Sequence, residues 1–122
     1  MPCRGIRGAI TVANNTREEI IERTKTLLRK IAEANGVLPQ DLACIIFTTT
    51  SDLNAEFPAL AARELGWTKV PLLCAKEIEV PGSIPRCIRV LLLWNTEKEQ
   101  EEIVHVYLGE AERLRPDLYY ER

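Results

Sequence analysis

The sequence has no long apolar run, no excess of one charge and no apolar leader at its N-terminus. Its 122 residues are 46% hydrophobic and 28% charged, with a formal net charge of -2, whereas a membrane-spanning helix needs about 20 consecutive apolar residues. Basic residues that nearly balance the acidic ones do not form the patch that a nucleic-acid backbone attracts. We therefore expect a single cytoplasmic domain, residues 1–122, that binds neither membranes nor nucleic acid.

Histidines, paired cysteines and nucleotide-binding motifs are also scarce or missing. The chain has one histidine and four cysteines, and the cysteines form no Cys-x-x-Cys pair of the kind found in zinc or redox sites. There is no Gly-x-Gly-x-x-Gly, no lysine-containing phosphate loop and no Gly-x-Ser-x-Gly. The sequence therefore predicts no metal site, no cofactor and four free thiols, at Cys3, Cys44, Cys74 and Cys87.

Apolar segments between turn residues predict five strands and two helices. We expect the strands at residues 3–12, 43–50, 70–75, 87–94 and 103–108, and the helices at residues 16–35 and 58–65. Strands separated by helices in so short a chain favour an α/β fold of the α+β type, a mixed five-stranded sheet with helices on one face. The other face lacks cover, so we expect a homo-oligomer.

The first helix has the clearest pattern. Thr16 followed three residues later by Glu19 predicts a capping box, and apolar positions then recur at the helical period, at Ile20, Ile21, Thr24, Leu27, Leu28 and Ile31. Gly5 or Gly8 in the first strand marks a place where another segment approaches the backbone closely.

Two arginines interrupt apolar strands: Arg7 in the first, and Arg89 between Ile88 and Val90. A guanidinium in an apolar setting needs a partner, which is either a carboxylate of the protein or an anionic ligand. For one arginine alone, an ion pair with Glu77 or Glu79 is the simpler interpretation. Two such arginines, with Arg4 and Arg63 also available, favour a pocket for a carboxylate ligand, which guanidinium groups bind in bidentate fashion.

Three further residues each leave two interpretations open. Glu77 could accept a hydrogen bond from a substrate hydroxyl or neutralise an arginine. Tyr107 could bind a carboxylate through its phenol, but packing is the commoner role of a tyrosine in a strand. Cys74 would be a nucleophile only beside a base, and no pattern places the single histidine, His105, near it, which favours an inert thiol.

Four blocks of sequence together resemble the AroH-class monofunctional chorismate mutases over almost the whole chain. They are RGIRGAITV, DLNAEFPALAARELGW, VPLLCAKEIEVPGSIPRCIRVLLL and HVYLGEAERLRPDL. The resemblance implies a homotrimer whose sheets pack into a pseudo-barrel, with active sites in the clefts between subunits. Such packing would cover the open face of the sheet.

By matching position, the resemblance implies a substrate pocket made by two subunits. One subunit supplies Arg7, Cys74, Glu77, Arg89 and Tyr107, and Leu73 also belongs to the binding set. The neighbour supplies Phe57 and Arg63, while Leu114 and Arg115 match a mobile tail, residues 114–122, over the pocket. Leu60 departs from the family, in which lysine can occupy this position. The charge contact that a lysine would make at the edge of the pocket is therefore not expected from Leu60.

The reaction that the resemblance implies is the Claisen rearrangement of chorismate to prephenate in aromatic amino acid biosynthesis, without cofactor or covalent intermediate. Arg7 and Tyr107 would hold a carboxylate, Glu77 and Cys74 would engage the ring hydroxyl, and Arg89 would stabilise negative charge on the ether oxygen. Two rival interpretations are a non-catalytic, metabolite-binding trimer of similar fold and a protein with a reactive Cys74.

Overall fold

The computed structural model describes residues 1–114 and contains five strands and two α-helices. Three short 3-10 helices cover Pro39–Asp41, Gln100–Glu102 and Gly109–Leu114. The strands are β1 (Cys3–Thr11), β2 (Leu42–Thr49), β3 (Leu72–Lys76), β4 (Cys87–Asn95) and β5 (Val106–Leu108), and the helices are α1 (Arg17–Asn35) and α2 (Ala59–Glu64).

The strands form one mixed sheet in the order β3-β2-β4-β1-β5. The long strand β4 is antiparallel to both β1 and β2, whereas β5 is parallel to β1 and β3 is parallel to β2. The predicted five-stranded mixed sheet is therefore confirmed, and its two parallel pairs lie at its edges.

Helix α1 begins and ends at the predicted residues, but its capping box is only half formed. The backbone N–H of Glu19 donates to Oγ1 of Thr16, which is the predicted N-cap bond. The Glu19 carboxylate does not return to Thr16; it accepts from the backbone N–H groups of Ala13 and Asn14. Gly36, with φ of 78°, ends the helix in the left-handed conformation that glycine adopts without strain.

The apolar stripe of α1 packs on β1, and Gly8 makes this close approach possible. A Cβ atom at Gly8 would lie 2.8 Å from Cδ1 of Ile31 and 3.2 Å from Cδ1 of Leu27. At Gly5 the nearest atom would be 3.6 Å away, an ordinary contact. The predicted close approach is therefore at Gly8. Helix α2 packs on β3 and on α1, where Lys25 pairs with Glu64 at 2.8 Å.

The two faces of the sheet differ in cover. On the helix side, side chains such as Ile45, Phe47, Ile88 and Leu92 are fully buried. On the other side, apolar side chains remain partly exposed in the single chain, among them Ile46, Leu91 and Leu93. The expectation of a sheet face without cover thus agrees with the structure of the single chain.

Element boundaries differ from the predicted ones by one or two residues, with two larger exceptions. Strand β5 begins at Val106 and not at residue 103, since the preceding segment contacts β1 through side chains. Residues 109–114 form a 3-10 helix that the sequence did not predict. Of the predicted mobile tail, Leu114 ends this helix, whereas Arg115 and residues 116–122 lie outside the described residues. Within residues 1–114, no helix is long and apolar enough to cross a membrane.

Candidate active site

Arg89 and Glu77 meet on the face of the sheet opposite α1. Arg89 lies directly across from Thr48 in the β4–β2 pairing, and Glu77 follows β3, where its backbone N–H donates to the Thr49 carbonyl at 2.9 Å. The Glu77 carboxylate accepts a hydrogen bond from the Thr48 hydroxyl and lies 3.6 Å from Nε of Arg89. The ion pair with Glu77 therefore exists, while Glu79 accepts from the Ser51 hydroxyl instead.

This ion pair does not use the full binding capacity of Arg89. Its Nε is buried, and no group among residues 1–114 accepts a hydrogen bond from it, while the side chain as a whole remains 40% exposed. A buried donor without an acceptor costs free energy. A guanidinium that is both under-satisfied and accessible can bind a further anionic or oxygen-bearing group.

The thiol of Cys87 is a neighbour of Arg89 that sequence analysis left without a role. Residues 87 and 89 are two positions apart in β4 and therefore lie on the same face of the sheet. Cys87 is fully buried. Burial raises the pKa of the Cys87 thiol to about 11, although the positive charge of Arg89 opposes the shift. A thiol with this pKa is protonated at pH 7, which does not favour a nucleophilic role.

Tyr107 and Arg7 lie on the same face as Arg89. Ala9 is directly opposite Arg89 on one side and Tyr107 on the other, so its small side chain separates the two. Tyr107 is only 6% exposed and packs with Cys87, Ala111 and Leu114, among others. Arg7 is two residues before Ala9 and its side chain is exposed. Arg7, Arg89, Glu77 and Tyr107 thus form one polar group, the arginine half-site.

A second set of the predicted residues lies elsewhere, between β3 and α2. A cavity of about 340 Å³ is lined by residues that include Phe57, Leu60, Arg63, Leu73 and Cys74. Phe57 and Leu73 are 69% and 61% exposed, which is unusual for large apolar side chains. We call Phe57, Arg63, Leu73 and Cys74 the phenylalanine half-site.

Cys74 and Arg7, which the resemblance places in one subunit's contribution, therefore do not lie together in the single chain. Cys74 pairs with Phe47 across β3 and β2, and Phe47 is buried on the helix side of the sheet. Partial burial raises the pKa of the Cys74 thiol, while the backbone N–H of Ala59 and the charge of Arg63 oppose the shift. These surroundings do not favour a reactive thiolate.

The geometry supports recognition of an acidic ligand. The arginine half-site combines two guanidinium groups, a carboxylate and a phenol on one sheet face, and residues 1–114 contain no group of three His, Cys, Asp or Glu side chains that could hold a metal ion.

Sequence analysis does not identify Thr48, whose hydroxyl donates to Glu77. Its role depends on the register between β2 and β4, which the sequence does not state.

Comparison with known proteins decides the family. The family model described as chorismate mutase type I matches residues 3–118. The chain belongs to the type I chorismate mutases. Its function is chorismate mutase, an isomerase activity that serves aromatic amino acid biosynthesis. The two rival interpretations, a non-catalytic metabolite-binding protein and a reactive-thiol protein, are not favoured.

Similar proteins agree in sequence and in fold. Chorismate mutase AroH of Thermus thermophilus is 59% identical over 116 residues, which are 94% of this chain and 95% of that protein. Chorismate mutase AroH of Bacillus subtilis is 49% identical over 119 residues, 97% and 94% of the two chains. A solved chorismate mutase from Clostridium thermocellum superposes with a TM-score of 0.88 at 51% identity, covering 89% of this chain and 97% of that one.

Proposed function

We propose that this chorismate mutase rearranges chorismate to prephenate as a homotrimer, in pockets that two subunits complete. The observation that carries the proposal is the division of the candidate residues into two half-sites. The arginine half-site consists of two guanidinium groups, a carboxylate and a phenol. The phenylalanine half-site has exposed apolar side chains, Phe57 and Leu73, and one cation, Arg63. The charges of the first and the exposed aromatic ring of the second suit the two parts of an acidic ring compound.

The open sheet face supports association of the subunits. Ile46 of β2 is directly opposite Leu73 of β3 on one side and Leu91 of β4 on the other, so apolar side chains cross three strands at one level. Contact with the equivalent face of other subunits would remove this surface from water. Packing of three sheets into a pseudo-barrel is the arrangement that we propose, and a cytoplasmic location stays a prediction from the sequence.

Substrate binding is assigned to both half-sites. Arg7 and Tyr107 hold one carboxylate of chorismate, since a guanidinium and a phenol both donate hydrogen bonds to it. Arg63 of the neighbouring subunit lies at the edge of the pocket. Phe57 and Leu73 of that subunit contact the ring of chorismate. Glu77 accepts a hydrogen bond from the ring hydroxyl, and Cys74 of the neighbour engages the same hydroxyl. Leu114 packs beside Tyr107 and is assigned to the cover of the pocket, whereas the role that the resemblance implies for Arg115 falls outside the described residues.

The reaction needs neither a base nor a nucleophile. The ether C–O bond breaks as a new C–C bond forms within the same molecule, so electrons are redistributed and no proton is transferred. Chorismate must first adopt a compact, chair-like conformation, and fixed hydrogen bonds to its two ends supply that order before the reaction. A reaction without a nucleophile is consistent with a site whose two thiols, Cys74 and Cys87, have raised pKa values and so do not readily form thiolates.

Arg89 is the residue that we assign to the transition state. Negative charge develops on the ether oxygen as the C–O bond lengthens, and a cation fixed beside it stabilises the transition state more than the substrate. The buried Nε of Arg89 has no hydrogen-bond acceptor among residues 1–114. Glu77, held by Thr48, lies 3.6 Å from this nitrogen and would keep the exposed part of the guanidinium in place beside the substrate.

Mixing two variants that are each inactive at chorismate concentrations far below their KM tests the shared pocket. Arg7→Ala removes a residue of the arginine half-site, and Arg63→Ala removes one of the phenylalanine half-site. When the two proteins are unfolded together and refolded, mixed trimers contain some pockets with neither substitution. We expect activity to return in the mixture, measured as loss of chorismate and formation of prephenate. As a control, the double variant Arg7→Ala/Arg63→Ala refolded with Arg63→Ala should stay inactive.

Two outcomes would count against the proposal. The first is a mixture that remains as inactive as its two components although sedimentation shows that mixed oligomers have formed. The second is a dilute protein that sediments as a monomer and still has full specific activity.

A further inference from the structure

The outer edge of β1 is covered by side chains over its first half. Strand β5 pairs with β1 only from Gly8 to Ile10. Before that point, Gln100 binds both backbone groups of Gly5: its Oε1 accepts from the N–H at 3.0 Å and its Nε2 donates to the carbonyl at 2.8 Å. Further along, Nδ1 of His105 accepts from the backbone N–H of Arg7 at 2.9 Å. Two side chains thus replace a neighbouring strand.

The end of α1 fixes the backbone next to His105. Asn35, a polar residue only 3% exposed, binds Val104 twice: its Nδ2 donates to the Val104 carbonyl at 2.9 Å, and its Oδ1 accepts from the Val104 N–H at 2.8 Å. The same Nδ2 also donates to the Ile31 carbonyl at 3.0 Å within the helix. Because Asn35 is buried and its two bonds to Val104 are partly shielded from water, they hold the backbone before His105 in place.

From these contacts we propose that His105 is a positioning residue for Arg7. The imidazole accepts through Nδ1, so Nδ1 carries no proton and the ring proton is on Nε2. The bond fixes the backbone of Arg7, and with it the direction of the Cα–Cβ bond from which an exposed side chain extends. His105 thereby determines the positions from which the guanidinium of Arg7 can bind a carboxylate. This inference rests on the substrate-binding role proposed for Arg7.

The expected effect is on binding more than on chemistry. Arg7 contacts a carboxylate that keeps its charge throughout the rearrangement, so misplacement of Arg7 weakens substrate and transition state alike and raises KM. Loss of one neutral hydrogen bond corresponds to roughly a three- to tenfold change in KM.

Three variants separate the hydrogen bond from the bulk of the side chain. In His105→Asn, Oδ1 can take the place of Nδ1, whereas His105→Leu keeps volume but has no acceptor. We expect His105→Leu to raise KM roughly three- to tenfold with a smaller change in kcat, and His105→Asn to restore KM close to that of the wild type. Gln100→Leu is the matched control, because it removes edge bonds at Gly5 and none at Arg7; it should lower thermal stability and leave KM unchanged.

A spectroscopic measurement covers the case in which His105→Leu does not fold. The chain has a single histidine, so its imidazole ¹⁵N signals are assigned without ambiguity. We expect the wild-type protein at neutral pH to show an unprotonated Nδ1 and a protonated Nε2. A proton on Nδ1 would overturn the inference, whatever the kinetics show.

Kinetics can also overturn it, and separately from the proposed function. If Arg7→Ala raises KM strongly while His105→Leu matches the wild type, or if His105→Asn is as impaired as His105→Leu, then His105 does not position Arg7. If instead Arg7→Ala leaves activity unchanged, the role proposed for Arg7 fails, and a change of KM in His105→Leu would need another cause.

Discussion

Replacement of Arg89 by a neutral side chain of the same shape separates its charge from its size. Citrulline differs from arginine by one oxygen in place of one nitrogen and keeps the Nε donor. Two effects are expected from Arg89→citrulline: loss of the ion pair with Glu77, which changes stability, and loss of the cation beside the ether oxygen, which changes kcat. Their magnitudes differ enough to be told apart.

The cost in stability is small. Two unit charges 3.6 Å apart, the separation of Arg89 Nε from the Glu77 carboxylate, attract by about 4 to 5 kcal/mol at an effective dielectric constant near 20. The arginine side chain is 40% exposed, however, and exposed pairs contribute about 1 kcal/mol or less. Glu77 also keeps its hydrogen bond from Thr48. The variant should therefore fold, with a free energy of unfolding lower by about 1 kcal/mol.

The cost in catalysis is larger. Removal of one preorganised donor at a developing oxyanion typically costs about 2.7 to 4 kcal/mol, or roughly 10²- to 10³-fold in kcat, and loss of a full charge should cost at least that much. Arg89→Lys keeps the charge but shortens the reach and loses the planar donor fork, so its kcat should lie between those of the wild type and the citrulline variant. Stopped-time assays of chorismate loss give kcat and KM, and urea unfolding checks the fold. A citrulline variant with wild-type kcat, or with only KM raised, would refute an electrostatic role for Arg89.

Three further predictions concern single positions. Cys74→Ser should keep substantial activity, and solvent deuterium should leave kcat nearly unchanged, since no step transfers a proton; complete loss in a folded variant or a large isotope effect would point to other chemistry. Gly8→Ala should destabilise the fold by about 1 to 3 kcal/mol in urea unfolding, because its Cβ would lie 2.8 Å from Ile31, whereas Gly5→Ala is the tolerated control. Hydrogen bonds from Asn14 hold the pKa of Glu19 below its ordinary value of 4.5, so its contribution to stability is present above pH 4.5 and is lost as pH falls through the lower, folded-state pKa. The stability difference between wild type and Glu19→Gln should accordingly shrink on acidification.

The fold followed from the sequence where local pattern alone determines structure. In α1, the cap at Thr16 and the stop at Gly36 are local signals, and both ends were predicted correctly. The segment before β5 was predicted as strand from residue 103 because it is apolar and β-branched. Its backbone pairs with β1 only from Val106, since Gln100 and Asn35 supply side-chain bonds to the backbone there. No local pattern states that an amide side chain will replace a strand.

The site was predictable to the same limited extent. A charge in an apolar strand draws attention to Arg89, and an ion pair with Glu77, which the structure contains, is one of the interpretations that the sequence allows. Cys87 could have been found by the two-residue alternation of β4, which places it beside Arg89. Thr48 and His105 could not, because their contacts depend on which strands are neighbours and in what register.

Strand order also explains why one chain cannot bring Cys74 to Arg7. Cys74 lies on β3 and Arg7 on β1, with β2 and β4 between them, so their backbones are about 14 Å apart at the usual strand spacing. Cys74 also pairs with Phe47, which faces the helices, whereas Arg7 is on the same face as Arg89. A substrate as small as chorismate cannot contact both side chains through the thickness of the sheet. If both contact it, as the family resemblance implies, Cys74 must come from a neighbouring subunit, together with Phe57 and Arg63.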